Sequence, residues 1–285
     1  MNPRRAPLRP GLSAAALCAA LALAGCAQQT VSFPPEPTPG SLFHSLYKPE
    51  GAGPFPAVVL LHTCAGVQPH VFDWAHRLTE WGYVTLVVDS FTPRGERIVC
   101  GSWRVSVNDV AADAFAALAR LRTLPFVDRD RVAVMGFSYG AMATLRLASE
   151  GYRKWTHADV RGFRAAVALY PYCTPPSPNL PPDVVERLDN LRDDTTTPLL
   201  ILIGGADDES PAALCSTRVG QLQRRGEPVA IKVYPGVTHA FDYASLGDRP
   251  FTTPRGFTYR YNREATEDAA QVSRAFLDRH LHLRE

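Results

Sequence analysis

Six continuous apolar runs, separated by stretches of helical periodicity, restrict this chain more than any other feature. They lie at residues 57–61, 84–88, 132–135, 165–169, 199–203 and 229–233. None shows the polar-out alternation of a half-exposed strand, so each suits a strand covered on both faces, as in a parallel sheet. Between the runs, Val71, Trp74, Ala75 and Leu78 share one helical face, as do Val107, Val110, Ala111, Ala114, Leu118 and Leu121. A third stripe runs through Ala265, Ala269, Val272 and Phe276. Strand and helix in alternation imply right-handed crossovers and an open α/β sheet, mostly parallel and flanked by helices. Ligands bind such sheets beyond the carboxyl ends of the strands, so the chemistry is expected just after the apolar runs.

The chain has 285 residues, 46% of them hydrophobic and 20% charged, enough to bury a large core, which excludes a disordered or fibrous class. Residues 1–25 read as an export signal: Arg4, Arg5 and Arg9 precede an apolar stretch at 12–24 that is too short to span a bilayer comfortably. The stretch ends in Leu23-Ala24-Gly25-Cys26, which resembles a bacterial lipobox, so Cys26 is the expected lipidation site; an incidental cysteine after a plain secretory signal is the alternative. Ala27 follows, and by that resemblance the expected address is the outer membrane, facing the periplasm, through a lipid anchor. Residues 26–40, rich in proline and nearly uncharged, read as a tether. No repeat or compositional break interrupts residues 41–285, which read as one domain. Thirty basic side chains stand against 28 acidic ones; without the three signal arginines the balance is 27 to 28. That near-neutral balance argues against nucleic acid as a partner and favours a small-molecule substrate.

After the run at 132–135 comes Gly136-Phe137-Ser138-Tyr139-Gly140, followed by helix formers. A nucleophile on a tight strand-to-helix turn needs small residues two before and two after it, where the backbone crowds its neighbours. Ser138 is the candidate nucleophile, placed where free N–H groups at a helix start favour a developing anion. A serine needs a base, and the base an orienting acid. Asp207, with Asp208 as the alternative, follows the run at 199–203, and His239 follows the run at 229–233. His62, at the end of a core strand, is expected to make structural hydrogen bonds. His70, His76, His157, His280 and His282 read as solvated or hydrogen-bonded histidines. The oxyanion hole needs the N–H of the residue after the nucleophile, Tyr139, and one from the loop after an early strand, for which Cys64 is favoured over Thr63.

Beyond Cys18 and Cys26, four cysteines remain, an even number suited to an oxidising compartment. Three pairings are open. Cys64 and Cys100 follow neighbouring strands at their carboxyl ends, and Cys173 and Cys215 do the same further along, so bridges Cys64–Cys100 and Cys173–Cys215 are expected, with four free thiols as the alternative. Arg94, shortly after the run at 84–88, is a candidate for substrate contact or for capping a loop. The proline-rich insertion at 174–198 is expected to fold over the site as a partial lid, the other reading being an inert surface loop. No His/Cys cluster has metal-ligand spacing and no glycine-rich phosphate loop occurs, so neither metal nor cofactor is expected.

Taken together, VVLLHTCAG, VVDSFTPRG, GFSYG, ALYPYC, LLILIGGADD, YPGVTHAF and YNREATEDAA resemble the dienelactone hydrolase family over most of residues 41–285. The resemblance implies an α/β-hydrolase fold, a triad of Ser138, Asp207 and His239, and hydrolysis of an ester, lactone or related acyl bond through an acyl-enzyme. Amide or peptide cleavage by the same machinery, or a non-catalytic surface binding module, are the alternatives. The chain departs from the founding members at two points. They use cysteine at the elbow, and they hold a substrate carboxylate with arginines, one shortly after the catalytic histidine, where this chain has Phe241, Asp242 and Tyr243.

Overall fold

The computed structural model describes residues 1, 30–31, 41–156, 162–173 and 189–281. The signal, Cys26, His157, His282 and the lid stretch up to residue 188 lie outside the described residues.

Five of the apolar runs become the buried strands of one sheet, and the sixth lies beside them. In chain order the strands are β1 (Thr30–Val31), β2 (Phe43–Tyr47), β3 (Phe55–Leu61), β4 (Val84–Val88), β5 (Val127–Phe137), β6 (Ala165–Leu169), β7 (Leu199–Gly204) and β8 (Val229–Tyr234), in the spatial order β1-β2-β4-β3-β5-β6-β7-β8. From β4 to β8 every pairing is parallel; β1 and β2 join antiparallel at one edge. Helices α1 (Pro69–Glu80), α2 (Val107–Arg122), α3 (Tyr139–Leu147), α4 (Glu150–Thr156), α5 (Ala212–Arg224) and α6 (Arg263–Leu281) supply the crossovers and the cover.

Local chemistry sets these boundaries. Proline opens α1, where its missing N–H costs nothing. Ser106 caps α2 in a reciprocal box with Asp109. Every residue of β4, β6 and β7 is buried, as doubly covered strands require. β8 differs from the expectation: its central residues are partly exposed, because it is the last strand and lacks a neighbour on one side. Two residues of the tether, Thr30 and Val31, pair with Tyr47 and Leu46 at the opposite edge, where β2 leaves backbone groups open. A separate hairpin of β9 (Phe251–Thr252) and β10 (Thr258–Tyr259) follows β8.

Both expected bridges are present, Cys64–Cys100 and Cys173–Cys215. The first ties the loop after β3 to the loop after β4 and the second ties the segment after β6 to α5.

Candidate active site

Ser138 sits between β5 and α3 with φ 49° and ψ −106°, a conformation that strains any L-residue with a side chain. The surrounding glycines make the turn possible. A Cβ on Gly140 would overlap the carbonyls of Leu61 and His62, and one on Gly136 would overlap the Gly140 carbonyl. The same close approach lets Gly140 N–H donate to the His62 carbonyl at 3.0 Å, locking the elbow against the end of β3.

His239 Nε2 lies 2.9 Å from Ser138 Oγ, and its Nδ1 lies 2.7 Å from Asp207 Oδ2. An ionised carboxylate only accepts, so Nδ1 carries the proton and Nε2 is left to accept from the serine hydroxyl. Asp207 is aimed by its own loop: Oδ1 accepts from the N–H groups of Glu209 (3.0 Å) and Ser210 (2.6 Å). Asp208 has a different task, accepting from Thr258 N–H of the hairpin at 3.1 Å. The His239 ring packs against Tyr170 (centroids 4.7 Å apart) and Tyr259 (5.2 Å).

Ser138 opens onto a cavity of about 720 Å³. Its walls include Val99, Trp103, Val107, Tyr139, Met142 and Tyr172, a mostly apolar set, together with the Cys64–Cys100 bridge. Cys64 lines the cavity and Thr63 does not. Thr63 instead serves the turn, its carbonyl accepting from Gly66 N–H and facing His62 Nδ1 at 2.8 Å, its hydroxyl accepting from Ala65 N–H. Tyr139 anchors its hydroxyl on the Val105 carbonyl at 2.6 Å, and burial pushes that phenol up to about 12.

Arg94 does not line the cavity. Its guanidinium forms a two-pronged bond with Asp113 (2.7 and 2.9 Å) and a third with the Ser90 carbonyl (2.7 Å), the bonds that the loop-capping reading expects. His62 behaves as expected: its Nε2 accepts from Ser90 N–H at 3.1 Å. His70 does not. It is buried against Tyr243 and Phe137, neither ring nitrogen has a hydrogen bond, and burial drives it down to about 3, so it is a neutral packing residue.

Three residues of the site escaped the sequence reading. Arg146 lies two turns beyond Ser138 on α3 and reaches the cavity, buried and held by the Oδ1 atoms of Asn190 (2.9 Å) and Asn108 (2.5 Å). Its spacing of eight from the nucleophile was the available signal. Glu209 lines the cavity beside Ser138, with Oε2 at 4.0 Å from His239 Nε2. Behind His239, Asp242 is buried and accepts from Tyr170 Oη at 2.7 Å and Trp74 Nε1 at 2.8 Å. Burial pushes its carboxyl up to about 6.

A parallel sheet carrying a strained serine elbow, with histidine and aspartate on the loops after later strands, defines an α/β hydrolase. The chain belongs to the dienelactone hydrolase family, whose profile matches residues 44–281. A putative carboxymethylenebutenolidase of Methylorubrum extorquens is 26% identical over 203 residues, 68% of this chain and 65% of the relative, so the match spans just under two thirds of that protein. A probable 2-oxo-3-(5-oxofuran-2-ylidene)propanoate lactonase of Bradyrhizobium is 23% identical over 69% of this chain and 77% of its own length. Among solved structures, a putative dienelactone hydrolase of Klebsiella pneumoniae superposes with a TM-score of 0.62 at 21% identity, covering 82% of this chain and 91% of that one.

Proposed function

We propose that this chain is a carboxylic ester hydrolase that cleaves a small ester or lactone through a serine acyl-enzyme. The observation that carries the reading is the continuous relay from Asp207 through His239 to Ser138, opening on a cavity with apolar walls and a few charged and polar side chains. Ser138 Oγ attacks the acyl carbon while His239 Nε2 takes its proton, and Asp207 keeps the imidazole in the receptive tautomer. The N–H groups of Tyr139 and Cys64 hold the oxyanion. The tetrahedral species collapses, the C–O bond to the alkoxide breaks, and Nε2 returns the proton to the departing oxygen. In a lactone that oxygen stays attached to the acyl chain. Water then attacks the acyl-serine, gives a proton to Nε2, and the Ser138 oxygen leaves with that proton. Family membership and relatives described as a lactonase and carboxymethylenebutenolidases support the substrate class.

A fluorophosphonate should label Ser138 alone, and Ser138→Ala should lower ester turnover by about 10⁶-fold with folding intact. Unchanged hydrolysis of small esters by that variant would overturn the reading and favour a binding module. The cell-envelope address is a separate part of the proposal: the lipobox-like sequence before Cys26 supports a lipid anchor in the outer membrane. Cys26→Ser should leave an uncleaved precursor; a soluble wild-type protein without lipid mass on its N-terminal peptide rejects the anchor.

A further inference from the structure

The relay uses one carboxylate, yet a second one stands at the opposite nitrogen of the same histidine. Glu209 Oε2 is 4.0 Å from His239 Nε2, on the side where Ser138 and the cavity lie. It does not reach that nitrogen directly, since 4.0 Å exceeds a hydrogen bond. The gap is one that a single water spans with ordinary bonds to both atoms.

The carboxylate is held in place. Tyr259 Oη donates to Oε2, Arg255 Nη1 donates to Oε1 at 3.2 Å, and the Glu209 main-chain N–H is bonded to Asp207 Oδ1. Tyr259 and Arg255 both belong to the hairpin after β8, which is fastened to the acid loop a third time through Asp208 and Thr258 N–H. Its side chain is only 15% exposed, so its rotamer is fixed by these donors and not by solvent. Each carboxylate oxygen accepts more than one hydrogen bond, which leaves Oε2 able to take another beside Tyr259.

We propose that Glu209 is a further catalytic residue that holds the deacylating water. When the leaving group has departed, the water that replaces it binds between His239 Nε2 and Glu209 Oε2. One O–H points to Nε2, which takes that proton during attack; the other is accepted by Glu209 and stays on the product carboxyl group. The water oxygen forms the new bond to the acyl carbon, the bond to Ser138 Oγ breaks, and Nε2 returns its proton to Oγ. Glu209 orients the nucleophile without changing its own protonation. The inference rests on the serine acyl-enzyme reading above, because only that route contains a separate water step.

The experiment is a pre-steady-state comparison of the parent, Glu209→Gln and Tyr259→Phe on a p-nitrophenyl ester, whose good leaving group makes deacylation limiting. Acid-quenched samples are digested to follow the acyl adduct on the Ser138 peptide. Loss of a charge-assisted hydrogen bond to the water corresponds to about 10- to 100-fold. For Glu209→Gln we therefore expect kcat to fall by about that factor, kcat/KM to stay within about threefold, and acylated Ser138 to accumulate. Tyr259→Phe, which loosens Glu209 without removing it, should show the same split to a smaller degree. A merely structural role would lower kcat and kcat/KM together and leave no adduct, which overturns the inference. An unchanged kcat in Glu209→Gln overturns it equally. If the parent itself never shows an adduct on Ser138, the covalent reading fails first, and the water site fails with it.

Discussion

On one side of Ser138, Asp207 and His239 are 5% and 1% exposed, and their loops are bonded to each other and to the hairpin. On the other side, Ile98 and Trp103 stand 62% and 54% exposed on a loop that a disulfide fastens to Cys64. The contrast follows from what each wall has to do. A proton relay works only if donor and acceptor stay fixed in dry surroundings, where electrostatic interactions are strong. The acyl side has to admit a substrate, so it cannot be sealed, and a covalent tie replaces the packing it gives up. The two bridges repeat the contrast: Cys173 and Cys215 are buried at 2% and 0%, whereas Cys100 is exposed at the cavity edge.

The largest effects should come from the closed wall. His239→Ala is expected to cost about 10⁶-fold in kcat, and Asp207→Asn about 10⁴-fold, because the aspartate orients and does not carry the proton. Steady-state rates on a chromogenic ester, with circular dichroism as the folding control, check both; a harmless Asp207→Asn would remove the closed wall from the mechanism. Next come the bridges. Replacing Cys64 and Cys100 together by alanine should lower kcat/KM by about 10- to 100-fold, since the loop proposed to hold the oxyanion loses its tie. Replacing Cys173 and Cys215 should leave kcat/KM within about threefold while costing about 4 kcal/mol in the chain-entropy account. Denaturant melts and kinetics on both double variants decide it, and the opposite pattern would dissolve the comparison.

Asp242 tests the ground behind the closed wall. Its pKa rises from 3.8 to about 6 on folding, so between those values the native state keeps a proton that the unfolded chain has lost. Rising pH therefore favours unfolding across that window. The parent should lose up to about 3 kcal/mol relative to Asp242→Asn between pH 4 and pH 6, read as the difference between their stability curves. Parallel curves would show that the carboxyl is not held up. The smallest effect belongs to the open wall: Arg94→Ala should destabilise by about 1–2 kcal/mol through the partner left on Asp113 while KM stays within about twofold. A large rise in KM would return Arg94 to the substrate.

The sheet was legible because doubly covered strands need continuous apolar runs, and the elbow because its backbone tolerates only glycine at 136 and 140. Asp207 and His239 were legible because both lie directly beyond such runs. What stayed hidden is held by partners distant in the chain. Nothing near Glu209 announces that residues 255 and 259 will hold it, and Pro254 and Gly256 disguise the hairpin as a loop. Arg94 was left open between two roles for the same reason: its partner lies 19 residues away on another element. His70 failed differently, since a helical histidine gives no sign that its neighbours will be Tyr243 and Phe137.

The contact between Gly140 and the end of β3 also bears on how such a site can change over generations. Because Leu61 and His62 carbonyls occupy the space where a Cβ would go, position 140 has one permitted occupant, and position 136 is constrained in turn by Gly140. Position 138 carries no such limit, since its side chain lines the cavity and meets His239 Nε2. Oxygen and sulfur nucleophiles can therefore succeed one another in a lineage without any shift of the main chain, while the spacers around them stay frozen. In this fold the reacting atom is the easier part to replace.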